Sequence, residues 1–182
     1  MPRYRRRYIA GGLVYFEVCL ARRGDDLLVR EIDTLRWAVG RTLRDRPVQV
    51  VAWVVLPDRM HAIWRLPDGD CAYGLRWGAI KARFTRSLRA TASGHSPDLR
   101  HDASGAEGRV WQNRFWEHHI RGPDDLAHHM HLCRVAPVRA GLVRQAEDWP
   151  FSSFAGHRQG CHLASSQAGD GGDSDRGLPV AR

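Results

Sequence analysis

Residues 13–20, LVYFEVCL, form a short apolar run rich in β-formers and read as a first strand. Asp25 and Asp26 can cap a segment in which Leu27, Leu28, Ile32, Leu35, Val39 and Leu43 recur at helical spacing up to Pro47. Residues 25–45 therefore read as one long amphipathic helix. The stretch VQVVAWVVL, 48–56, is apolar and β-branched almost throughout, as in a central strand covered on both faces. Pro57 and Asp58 end it in a turn. Residues 60–66, MHAIWRL, then alternate as the return strand of a hairpin, with His61, Ile63 and Arg65 on one face and Ala62, Trp64 and Leu66 on the other.

A second amphipathic helix is expected over 71–91, carrying Leu75, Ile80, Phe84 and Leu88 inward and Arg76, Lys81, Arg83, Arg86 and Arg89 outward. Residues 92–108 are small and polar and read as a flexible surface loop. The aromatic segment VWQNRFWEHHI, 110–120, fits a fourth strand. Pro123, Asp124 and Asp125 open a third helix over 124–136 that Pro137 terminates, and residues 149–154 fold back as a capping segment. The chain thus divides into a domain over 1–157 and a tail over 158–182 whose lack of aromatics and periodicity reads as disorder. The order β-α-β-β-α-β-α is an α+β plan, a ferredoxin-like antiparallel sheet with helices on one face. That plan hosts unrelated functions, so function has to be read from the site.

Charge narrows the choice. Of 182 residues, 28 are basic and 20 acidic, a formal net charge of +8, which points to an anionic partner. Lys81 is the only lysine. Arginine's planar fork grips phosphate and stacks on bases, which favours nucleic acid; a GC-rich genome would also write Arg for Lys, but would leave the net charge unexplained. Cys19, Cys71, Cys133 and Cys161 show no zinc-site or disulfide spacing. No run approaches the ~18 apolar residues of a membrane span, and the basic amino terminus lacks a secretion signal's apolar core. A cytoplasmic protein with no membrane partner is expected.

Four blocks, AWVVLPDRMHAIW (52–64), VWQNRFWEHHI (110–120), PVRAGLV (137–143) and DWPFSSF (148–154), resemble the REP-associated tyrosine transposases, a branch of the HUH single-tyrosine transposases. The similarity spans roughly residues 4–157. It implies a ferredoxin-like domain that binds a single-stranded DNA hairpin and breaks a phosphodiester with a tyrosine hydroxyl, forming a 5′-phosphotyrosine link. It also implies a divalent metal, Mg or Mn, held by a His-hydrophobe-His pair on a strand and by a polar residue one turn after the tyrosine. Such an ion polarises the scissile phosphate. Relatives act as monomers or as homodimers.

This chain departs from that pattern. The first histidine position is Arg59, which cannot ligate a metal; the tyrosine position is Leu132, and the later ligand position is Ala136. Only His61 remains of the expected set. The expected function is therefore binding of single-stranded or hairpin DNA within a strand-transferase lineage, with cleavage and metal binding weak or absent. A metal-dependent transposase or endonuclease with a rearranged site is the alternative, and a decayed gene product a third.

Arg59 reads either as a fixed charge that holds the phosphate the metal once bridged or as a drifted residue. His118, His119, His128, His129 and His131 cluster near the expected site, and His128 and His131 could share a helix face as part of a relocated metal site with His61. His131 or Cys133 could in principle replace the tyrosine as nucleophile. Trp111, Phe115 and Trp116 pack in the core or stack on an unpaired base. DNA contacts are expected from Arg5, Arg6 and Arg7 in the amino-terminal arm, from Arg59, and from Lys81, Arg83 and Arg86 on the second helix.

Overall fold

The computed structural model describes residues 11–95 and 109–156. Strand β1 (Gly12–Cys19) leads into α1 (Leu27–Arg30) and α2 (Ile32–Asp45), then the hairpin of β2 (Gln49–Val55) and β3 (Arg59–Leu66). Helix α3 (Tyr73–His95), strand β4 (Trp116–His119) and helix α4 (Pro123–Arg139) complete the order. The sheet runs β2-β3-β1-β4 with every neighbouring pair antiparallel. Since β1 and β2 are both antiparallel to β3, they run parallel to each other with β3 between them, the split βαβ arrangement of ferredoxin-like domains.

Alternation along the strands sorts the side chains onto two faces. Val14, Phe16 and Val18 join Met60, Ala62, Trp64 and Leu66 beneath Leu35 and Val39 of α2 and Trp77, Ile80 and Phe84 of α3. Trp64 and Trp77 stack at the centre of this core, their rings 4.4 Å apart. Tyr15, Ala52, Val54 and Ile63 point the other way, against Cys133 of α4 and Trp149. Helices thus cover both faces, not one. Residues at alternate positions of β1, β2 and β3 are apolar on that second face too, and burying them requires α4.

Other boundaries shift for local reasons. The long first helix is two, broken at Glu31, where the backbone departs from helical angles. Helix α3 runs to His95, so the expected loop starts later, and the rest of it lies outside the described residues. Near its start the expected faces are exchanged: Leu75 is exposed, whereas Arg76 is buried, donating to the Asp70 carboxylate and to the carbonyls of Arg46 and Pro47. Only Trp116–His119 of the aromatic segment is a strand, while Trp111 forms an isolated bridge to Leu20. Pro137 sits inside α4 rather than ending it: it removes one helical hydrogen bond, but it is buried and packing holds the helix through it; the helix stops two residues on, before Gly141 at φ +70°. The amino-terminal arm with Arg5, Arg6 and Arg7, and the expected tail, lie outside the described residues. No helix among the described residues is long and apolar enough to cross a membrane.

Candidate functional site

The β1–β3 register pairs Tyr15 with Ile63, Glu17 with His61 and Cys19 with Arg59. These alternate positions share the face that α4 partly covers, and Leu132 reaches the same place from α4. Tyr15, Glu17, Cys19 and Leu132 line a cleft of about 470 Å³, joined by Arg23, Gln112, Arg114, Phe115 and Trp116. The fold therefore brings Leu132 beside β1, the strand that pairs with Arg59 and His61. Tyr15 and Glu17 belong to no motif in the sequence; period-two alternation opposite 59, 61 and 63 is the signal that marks them.

Arg59 is already engaged by carboxylates. Its Nε lies 2.9 Å from Asp58 Oδ1, a second guanidinium nitrogen lies 3.3 Å from Asp58 Oδ2, and Glu17 is 4.0 Å away. Burial works against ionising Asp58, but the Arg59 hydrogen bonds and the Gly24 amide outweigh it and hold the carboxyl below its ordinary value. The pair with Asp58 in turn raises Arg59. This geometry gives Arg59 a local role, neutralising Asp58 and Glu17, that neither sequence reading included.

His61 is hydrogen-bonded through Nδ1 to the Tyr15 hydroxyl at 2.7 Å. Burial lowers its proton affinity despite the attraction of Glu17, so the imidazole is held neutral, and burial likewise pushes the Tyr15 phenol up. Arg59, His61 and Ala136 do not fit a metal centre: the first is a cation bound to its own carboxylate, and the last packs against the second core. Cys133 is fully buried there, its thiol pushed up to about 12, which removes it as a nucleophile. His131 is exposed on the helix surface.

A different histidine pair converges. His118 of β4 donates to Asp125, its Nε2 lying 2.8 Å from Oδ2, while His129 Nδ1 is 3.0 Å from Oδ1 and 2.9 Å from the Asp125 carbonyl. The Arg121 amide also donates to Oδ2. The His118 hydrogen bond, then the Arg121 amide and the His129 charge, lower the Asp125 carboxyl to about 2. Among the described residues, His118, Asp125 and His129 are the one group placed to hold a metal ion; His128 and His131 are not in it. In the sequence Asp125 opens a helix, and its i, i+4 spacing to His129 is the signal that puts both on one helix face.

The aromatic and basic expectations separate. Trp111 is buried and Phe115 packs on the first core, whereas Trp116 is half exposed in the cleft. On α3, Arg83 is tied to Thr42 and Asp45, and Lys81 donates to the Gln112 carbonyl. Arg86 is exposed. With Lys81, Arg89 and Arg109 it lines a second cleft of about 560 Å³ between α3 and residues 109–113.

No protein-family model matches the chain. It is 43% identical over 154 residues to the REP-associated tyrosine transposase of Escherichia coli K12, covering 85% of this chain and 83% of the relative. A Haemophilus influenzae protein carrying the same family name is 36% identical over 154 residues, covering 85% of this chain and 86% of its own length. The solved structure of a REP-associated tyrosine transposase bound to a REP hairpin superposes with a TM-score of 0.73 at 42% identity, covering 85% of this chain and 83% of that one. Sequence and fold agree, and the chain belongs to the REP-associated tyrosine transposases.

Proposed function

We propose that this protein recognises hairpin or other folded single-stranded DNA of the REP type without cutting it by the family's tyrosine route. The observation that carries the reading is the cleft beside β1, which has basic residues in its lining and presents Leu132, the position that the family resemblance aligns with the nucleophile. Arg23 and Arg114 line it, and Trp116 offers a half-exposed ring on which an unpaired base can stack. The cleft at Lys81, Arg86, Arg89 and Arg109 extends the positive surface along α3. The hairpin-bound relative, alike over most of its length, supports DNA as the ligand.

Leucine has no group that can attack phosphorus, so no covalent phosphoprotein forms at residue 132. Arg59, held by Asp58, contributes field more than direct contact to a phosphate. Arg5, Arg6 and Arg7 add backbone contacts from the amino-terminal arm, and the DNA-binding unit is residues 1–157 of a cytoplasmic protein. The Mg or Mn expected for the family is weak or absent at His61.

The test is an electrophoretic mobility shift with a palindromic hairpin and an unpaired strand of the same composition, repeated over a salt series. The hairpin should bind more tightly, with affinity falling steeply as salt rises. Equal binding of both strands would overturn the reading.

A further inference from the structure

The cluster at the β4–α4 corner has no part in that DNA reading, and its chemistry is specific. His118, Asp125 and His129 each offer one ligand atom, all within 4.8 Å of one another. Two imidazoles and one carboxylate are a donor set that suits transition ions and leaves coordination positions open. Metal–ligand bonds of about 2.1 Å place neighbouring donors roughly 3.0–3.4 Å apart. An ion takes the place of the protons in the 2.8 and 3.0 Å contacts to the shared carboxylate, which open slightly, and the ligand atoms, now within 4.8 Å of one another, adjust around it.

The rings are also held in place. His118 and His129 stack with centroids 4.5 Å apart and an interplanar angle of 16°. Trp116 lies parallel to His118, and Tyr15 packs on His129 from the sheet side, 4.8 Å between centroids. His129 is buried, whereas the His118 and Asp125 side chains keep 28% and 24% of their surface. The cluster is thus closed toward the core and open toward solvent, and aromatic packing has fixed the ligands beforehand.

We propose that His118, Asp125 and His129 form a binding site for a divalent transition ion of the zinc class, distinct from the family's pair at 59 and 61. Mg²⁺, which demands oxygen ligands, is not its ion. Trp116 packs on His118 and lines the cleft, so the site adjoins the cleft without opening into its lining.

The experiment is a Co²⁺ titration of the full chain, read by visible d–d absorption, with Zn²⁺ and Mg²⁺ as competitors. One Co²⁺ should bind per chain, be displaced by Zn²⁺ and withstand excess Mg²⁺. Asp125→Asn and His118→Gln should each weaken binding at least about tenfold, and His61→Ala should leave it unchanged. Far-UV circular dichroism checks that each variant is folded; His118→Gln is the safer, its side chain being partly exposed. Absence of Co²⁺ bands at sub-millimolar protein with excess Co²⁺, which would make the cluster a hydrogen-bonded group only, overturns the proposal. So does binding retained in both Asp125→Asn and His118→Gln, or binding lost in His61→Ala. Hairpin binding is read separately, so failure here leaves the DNA reading standing and its failure leaves this one.

Discussion

Two histidine centres flank Tyr15, whose ring contacts both His61 and His129, and they differ in what stands beside the imidazole. At the sheet centre the neighbour is a guanidinium paired with Asp58. At the β4–α4 corner it is a carboxylate shared by two rings. Burial and a cation drive protons away from His61, whereas at the corner the hydrogen bonds to Asp125 hold its carboxylate ionised. A side chain that suits a metal is therefore no guide without its neighbours.

The largest expected effect reverses the first centre. Arg59→His, Leu132→Tyr and Ala136→Asn together should turn a protein that forms no covalent adduct with labelled hairpin DNA and Mn²⁺ into one that does, read as a shifted band on a denaturing gel. No band would mean that the cleft cannot seat a scissile phosphate at residue 132. Next, Arg59→Ala alone should destabilise the fold by about 1–2 kcal/mol in urea unfolding, because Asp58 is left buried without its partner; Arg59's partial exposure keeps the cost below that of a fully buried pair. Tyr15→Phe removes the hydroxyl bonded to His61 and should cost about 1 kcal/mol by the same measurement, while leaving Co²⁺ binding at the corner intact.

The smallest and sharpest contrast lies along the pH axis. Burial lowers His61 below its ordinary 6.5, so the unfolded chain takes up a proton that the folded chain refuses, and stability should begin to fall as pH drops below about 6.5. Asp125 is lowered from 3.8 to about 2, so its contribution is complete above 3.8 and fades only as pH falls toward 2. Urea midpoints measured from pH 8 to 3 should show the His61 loss first, and His61→Leu should flatten the upper part of that curve alone.

Much of this was legible in the chain. The strand–helix order and the hairpin faces about His61 follow from short-range periodicity. What escaped was set by tertiary contact. Arg76 looks like a solvent-facing residue until Asp70 and two carbonyls surround it, and Leu75 looks buried until the helix start turns it outward. Pro137 reads as a stop, yet packing on the second core carries α4 past it. The corner cluster joins residues seven and eleven positions apart across a turn, and only β4's pairing with β1 brings His118 to Asp125 and His129.

The return of the chain after α4 has a further consequence. Residues 151–153 lie along the outer side of β2, with Phe151 accepting from the Val55 amide, Ser153 bonding Trp53 in both directions, and Trp149 donating to the Val55 carbonyl at 2.7 Å. They close an edge that would otherwise present unpaired amides and carbonyls to another sheet. A chain ended before Trp149 would keep its clefts yet expose that edge, and self-association by strand addition would be its first failure, ahead of any loss of DNA binding.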